Sequence, residues 1–358
     1  MPDADHFPGA LPEAEKLLDQ IENAAEGRAL TGTASKLDEM MLALQTRDAD
    51  AAGISNAVSQ VGRAVARRLL ILAEQDLGSA PVAYVFVVAG SQARGEQILG
   101  SDQDNGMILS DDYQPDCHAD YFRELAERVC TGLADAGYRR CPGDIMAINP
   151  RWRRPLADWQ AQFNQWIDRA DPDALLKVSI FFDLDGVHGS QDLIDTLRSG
   201  ILERTRASTL FQARLAAVAL GFQPAVGWFG RLRFEPDGQS RFMDLKRHAV
   251  TPVVDLARVH ALAMGEAALG SRERLQAAAR HDLISAIDRD RLIDAFDQVS
   301  ALRIDHQCRQ IHAGQHPDYR LRADEIDQPA RQRLSNALVT IQRAQQAMAR
   351  RFQAEAFR

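Results

Sequence analysis

Lysine is nearly missing from this 358-residue chain: only Lys16, Lys36, Lys177 and Lys246 occur, and every other basic side chain is arginine. Cysteine is equally sparse. Cys117, Cys130, Cys141 and Cys308 are widely spaced with no C-x-x-C pair, which excludes a disulfide framework or a zinc site and fits reduced thiols. There is no surplus of positive charge: the formal net charge of −8 argues against a dedicated nucleic-acid binder, though not against a local basic pocket. No apolar run approaches the roughly 20 residues of a membrane span. The acidic start, Met1-Pro2-Asp3-Ala4-Asp5-His6, lacks the apolar stretch of a signal peptide, so a cytoplasmic protein without membrane attachment is expected. Nine histidines show no metal-ligand spacing, and no Ser/His/Asp or Cys/His arrangement supports hydrolase chemistry. What remains is ordinary for a globular protein of two or three structural units, 46% hydrophobic and 26% charged.

Hydrophobic periodicity divides the chain into three. Residues 1–78 carry apolar side chains at three- and four-residue spacing, as in Val58, Val61, Val65, Leu69 and Leu72, and read as a helical region. Residues 79–205 alternate strand-like and helix-like segments. The expected strands are Val82–Ala89, Met107–Leu109, a short one at Ile145–Ile148 and a buried one at Leu175–Leu184. Residues 206–358 are mainly helical, with a β-hairpin expected from Gly227–Phe234 and Arg241–Leu245 around Pro236-Asp237-Gly238. Residues 331–358 hold six arginines and one glutamate, read as a solvated helical face rather than a nucleic-acid tail.

The most informative stretch runs from Gly90 to Asn105. An apolar strand enters Gly90-Ser91, where a turn opening a helix can hold an anion. Asp102-Gln103-Asp104 follows, and in an extended chain these two acids project to one side. Two carboxylates held so close repel unless a cation lies between them. A phosphate-holding turn beside such a pair suits Mg²⁺-dependent nucleotidyl transfer, with Mn²⁺ as the alternative ion. Asp102 and Asp104 are the candidate metal ligands. Gly90, Ser91 and Arg94 are the candidate nucleotide contacts, joined by Lys177 and Lys246, which flank the acidic strands. A third carboxylate, as metal ligand or proton acceptor, is expected at Asp183, which closes the apolar run Val178–Phe182. Asp244 and then Asp185 are the alternatives. Asp144, Asn149, Trp152 and Arg153 form a polar and aromatic cluster that reads either as core or as a contact to base or acceptor.

Gly90-Ser91-x-x-Arg94-Gly95-Glu96-Gln97 with Ser101-Asp102-Gln103-Asp104-Asn105 resembles bacterial nucleotidyltransferases of the protein-PII uridylyltransferase type. Cys141-Pro142-Gly143-Asp144-Ile145-Met146-Ala147, Phe181-Phe182-Asp183-Leu184 and Met243-Asp244-Leu245-Lys246 are similar to further signatures of that family. The resemblance implies an α+β, DNA polymerase β-like catalytic core with a mixed sheet, followed by a helical bundle. It also implies transfer of a nucleoside monophosphate from ATP or UTP, with pyrophosphate released. The acceptor implied is a protein hydroxyl; a small-molecule acceptor, or nucleotide binding without turnover, are the other readings. Many relatives carry CBS or cyclic-nucleotide-binding domains ahead of the core. Here only the helical lead-in is present, so such sensing is expected to be absent or supplied elsewhere. Ala93 replaces a usual glycine, and Asp185 stands where relatives commonly show arginine.

Overall fold

The computed structural model describes residues 11–47, 49–238 and 240–357; the acidic start of the chain lies outside the described residues. The fold is α+β. It comprises two compact units, one made of the chain up to Trp159 with Asp183–Asp195, the other of Gln160–Phe182 with Thr196–Arg358. Among the described residues no helix is long and apolar enough to cross a membrane.

In the first unit the lead-in forms α1 (Pro12–Glu22), α2 (Thr33–Thr46) and α3 (Ala51–Leu77). Asp50 caps α3 by accepting the Gly53 N–H at 2.6 Å. The expected stripe of Val58, Val61, Val65 and Leu69 is buried. Then come β1 (Tyr84–Ala89), a single turn α4 (Gly90–Ala93), β2 (Asp102–Gln103), β3 (Asn105–Leu109), α5 (Pro115–Asp135), β4 (Arg139–Arg140), β5 (Arg153–Pro155) and β6 (Leu184–Gly189).

The main sheet has the order β5-β3-β1-β6, with β1 antiparallel to both neighbours and β3 parallel to β5. Every residue of β1 and β3 is buried, which is why both read as continuous apolar runs rather than alternating ones. Tyr84 of β1 meets Phe122 of α5 edge to face at 5.5 Å. The exposed edge of β6 is covered by α3. Arg63 donates to Gly186 O at 3.0 Å and Arg67 to Val187 O at 3.3 Å, satisfying edge carbonyls that would otherwise template another strand.

Gly106 in β3 sits where a Cβ would lie 2.8 Å from the Trp152 carbonyl oxygen, a backbone atom with little freedom to retreat. Gly106→Ala should therefore destabilise the first unit by about 1–3 kcal/mol, read as a lower urea midpoint with an unchanged denaturant slope.

Two strand expectations are corrected. Ile145–Ile148 is irregular rather than extended. It is anchored by Asn105, whose N–H donates to Ile145 O at 3.1 Å and whose Oδ1 accepts the Ala147 N–H at 2.8 Å. Leu175–Leu184 is not one strand but α7 (Pro172–Val178), a 3₁₀ turn at Ser179–Phe182, and only then β6. A short buried apolar run satisfies either conformation. The deciding signal lies just upstream, where Asp171 caps the helix by accepting the Ala174 N–H at 2.9 Å and Pro172 occupies its first turn.

In the second unit, α6 (Leu156–Arg169, from Gln160 onward) shares an aromatic core with the 3₁₀ turn Ser179–Phe182 that follows α7. Trp166 stacks on Phe181 and Phe163 meets Phe182. The unit continues through α8 (Gln191–Ala207, from Thr196 onward), α9 (Thr209–Ala219), α10 (Thr251–Met264), α11 (Ser271–Arg280), α12 (Ala286–His312) and α13 (Gln328–Arg351). Helix α10 is buried from Pro252 to Leu262. The hairpin is shifted: its strands are β7 (Glu235–Asp237) and β8 (Ser240–Asp244). A third strand, β9 (Arg320–Arg322), pairs with β8 from about 80 residues away, a partner that local pattern cannot supply. Residues 227–234 instead hold a tight turn at Trp228–Gly230.

Candidate active site

The ladder around β1 gathers the conspicuous residues of the sequence. Val88 faces Asn105 on one neighbour and Asp185 on the other. One step further, the Ala89 N–H donates to Asp104 O at 2.8 Å and the Gly90 N–H to Asp183 O at 2.9 Å. The backbones carrying two of the acids thus flank the end of β1 on opposite sides. Gly90 turns the chain there with φ of 63°, a left-handed conformation that favours glycine. Its N–H is already engaged by the Asp183 carbonyl oxygen. The helix it opens lasts one turn before Gly95, φ 69°, ends it. Ser91 is half-buried in that turn, and its carbonyl accepts the Glu96 N–H at 2.9 Å.

Alternation sets the direction of Asp102 and Asp104. Gln103 is buried, its amide donating to Tyr138 O at 2.9 Å and Cys130 O at 3.2 Å. Asn105 is buried on the same side, with Oδ1 accepting the Ala147 N–H. These two amides clamp the inward face, so the acids between them project from the other face of the segment. Asp102 there meets the exposed guanidinium of Arg139 at 3.3 Å. Asp104 accepts from the Cys141 thiol; burial, then the negative charge of Asp104, pushes that thiol up to about 11. Two half-buried carboxylates on one face, Asp102 beside the solvent-exposed guanidinium of Arg139, form an oxygen-rich donor pair of the kind hard divalent cations take alongside phosphate oxygens and water. Among the described residues no group of three Asp, Glu, His or Cys side chains is gathered to enclose a metal ion.

Asp183 is completely buried. Its Oδ2 accepts from the Arg94 guanidinium at 2.6 Å, and Arg94 also donates to Glu96 at 2.7 Å. The motif's arginine and the third candidate acid are therefore partners across the turn, with Glu96 as the missed third member. Asp185 pairs with Arg63 of α3 at 2.7 Å. An acid in place of the family's arginine is thus matched by an arginine from the lead-in.

The remaining candidates lie in the second unit. Lys177 is exposed on α7, and the Lys246 ammonium sits 5.3 Å from the centre of the Tyr319 ring. Asp244 accepts the Arg247 N–H at 2.9 Å and so caps the turn that follows β8. Back in the first unit, the Asp144–Arg153 cluster is bonded to itself. Trp152 Nε1 donates to Asp144 O at 2.9 Å, Asn149 donates to the Asp144 carboxylate at 2.7 Å, and Arg153 donates to Ala147 O at 2.6 Å. Trp152 is buried, Asn149 and Arg153 are half-buried and Asp144 is exposed, so only the tryptophan of the cluster belongs to the core.

Residues 35–173 match the family model described as "Putative nucleotidyltransferase DUF294". Residues 209–352 match that of the "Putative nucleotidyltransferase substrate binding domain". No curated protein matches the chain significantly. The first match contains Gly90, Ser91, Arg94, Asp102 and Asp104, and the second covers most of the helical unit. Over these two stretches, separated by residues 174–208, the chain is similar to a nucleotidyltransferase family.

Proposed function

We propose that the protein transfers a nucleoside monophosphate from ATP or UTP to a protein hydroxyl, as protein-PII uridylyltransferases do, and releases pyrophosphate. The observation that carries this reading is the pair Asp102 and Asp104 on one face of their segment, next to the Gly90-Ser91 turn. In this reading Asp102 and Asp104 hold Mg²⁺, which supplies positive charge against the triphosphate oxygens. Asp183 is the third acid of the site. By pairing with Arg94 it also fixes the direction of the guanidinium that contacts the phosphates. Ser91 adds a hydroxyl donor to that contact.

Incubation of the purified protein with labelled ATP or UTP, Mg²⁺ and host lysate tests the reading. Label transferred to protein, dependent on one of the two nucleotides, is the expected result. Label on a small molecule would move the acceptor to another class, and binding without any transfer would reduce the protein to a nucleotide-binding module.

Ser91→Ala should weaken binding of a non-hydrolysable nucleotide in the presence of Mg²⁺ by roughly 1.5–3 kcal/mol, the usual cost of one hydrogen bond to a charged group. Isothermal titration calorimetry measures this directly. An unchanged affinity would show that the phosphates bind away from the Gly90-Ser91 turn.

A further inference from the structure

A cleft of about 1000 Å³ runs alongside α13 in the second unit, lined from Gln332 to Arg351 and by the start of α12, α10 and the turn at Trp228–Gly230. At 1.5 Å per residue, that length of α13 is about 28 Å, enough for about five turns of helix or about eight extended residues. A single nucleotide does not fill such a length.

Three features describe what would. Trp228 and Phe229, at the mouth, are 84% and 103% exposed, the two most exposed large apolar side chains described. Their display is built rather than incidental: Phe229 holds a left-handed φ of 58°, and Ser335 of α13 pins the turn by donating to Gly230 O at 2.6 Å. Arg291, Arg343 and Arg351 line the cleft, and none has a carboxylate partner among the described residues. The one lining acid, Asp288, accepts from Ser285 at the start of α12. On the floor, His260 is 2% exposed with Nδ1 committed to Leu256 O at 2.8 Å; burial keeps the ring neutral. The apolar lip and the three arginines without carboxylate partners, in a cleft whose one lining acid is already bonded, complement an acidic amphipathic segment.

We infer that this cleft docks an acidic segment of the acceptor protein, anchored by apolar side chains against Trp228 and Phe229. The acceptor role rests on the transferase reading above; the docking itself does not.

The test uses the full chain and two fluorescein-labelled amphipathic peptides of about 20 residues, identical in Leu and Phe positions but with Glu or Lys at the polar ones. Fluorescence anisotropy should show binding of the Glu peptide, weakened by salt, and little binding of the Lys peptide. The double variants Trp228→Ala/Phe229→Ala and Arg291→Glu/Arg343→Glu should each weaken it by about tenfold or more while melting like the parent, because all four side chains are exposed. Calorimetric titration of ATP with Mg²⁺ should be unchanged in both variants.

Equal binding of the two peptides, or unaltered binding by the variants, overturns the inference. Loss of an ATP equivalent in the variants would instead make the cleft a nucleotide site, and a dimer that the variants turn into monomers would make it a self-association surface; both also overturn it. The two readings fail separately. Glu-peptide binding without any nucleotidyl transfer leaves the docking standing and removes the transferase. Protein labelling that proceeds at the parental rate in both variants removes the docking alone.

Discussion

Asp102→Asn and Asp104→Asn should each lose on the order of 10²-fold or more in nucleotidyl transfer, because each removes one of two charged oxygen donors from the proposed metal position. Folding should be little affected. Both side chains project from the face opposite the buried amides of Gln103 and Asn105, and neither carboxylate closes the core. A chelator should abolish transfer by the parent protein and added Mg²⁺ should restore it, whereas added Mg²⁺ should not rescue the variants fully. The measurement is pyrophosphate release alongside a thermal melt. Retention of most activity in both variants would remove these acids from the chemistry. Gln103→Ala should behave in the opposite way, losing stability because it leaves the Tyr138 and Cys130 carbonyls without their donor.

Arg94→Ala should be strongly destabilising, costing about 3–5 kcal/mol, because it removes the guanidinium paired with the fully buried Asp183 carboxylate. A two-state thermal or urea transition would show this directly. Replacing both partners, as in Arg94→Met/Asp183→Leu, should recover most of that stability, since a well-packed apolar pair avoids the desolvation of two charges. It should not recover transfer. The contrast separates the two roles of the pair: stability follows charge balance, whereas activity follows the presence of the guanidinium and the carboxylate. If the double variant regained activity together with stability, the pair would be structural only. A single Arg94→Ala that melts like the parent would show that other contacts of Asp183 suffice to hold it.

Much of this site was legible because its signals are local. A strand that is apolar at every position must be covered on both faces, so the run up to Ala89 marked β1. Only a residue without Cβ turns easily into a left-handed step, so Gly90 marked its end. Acids two apart in an extended segment share a face, and here the polar residues alternating with them are buried by amide hydrogen bonds. The amphipathic spacing of α3 was equally plain. The helix at Pro172–Val178 was misread because a short buried apolar run has no periodicity to distinguish helix from strand. The information lay in the cap at Asp171 and in Pro172, outside the run itself.

What the sequence by itself determined was the chemistry on offer: the acids, the turn, the scarcity of lysine and the order of the elements, all set by side-chain type and short-range backbone preference. Which groups became partners was decided by the tertiary structure. Arg94 and Asp183 are 89 residues apart, and Arg63 and Asp185 more than a hundred. The cleft beside α13 draws its arginines from two helices and its aromatic lip from a third segment. Each of these pairings depends on where the chain returns after a long excursion. That return is set by the burial of whole helices and strands against one another, a property that no single stretch of sequence carries.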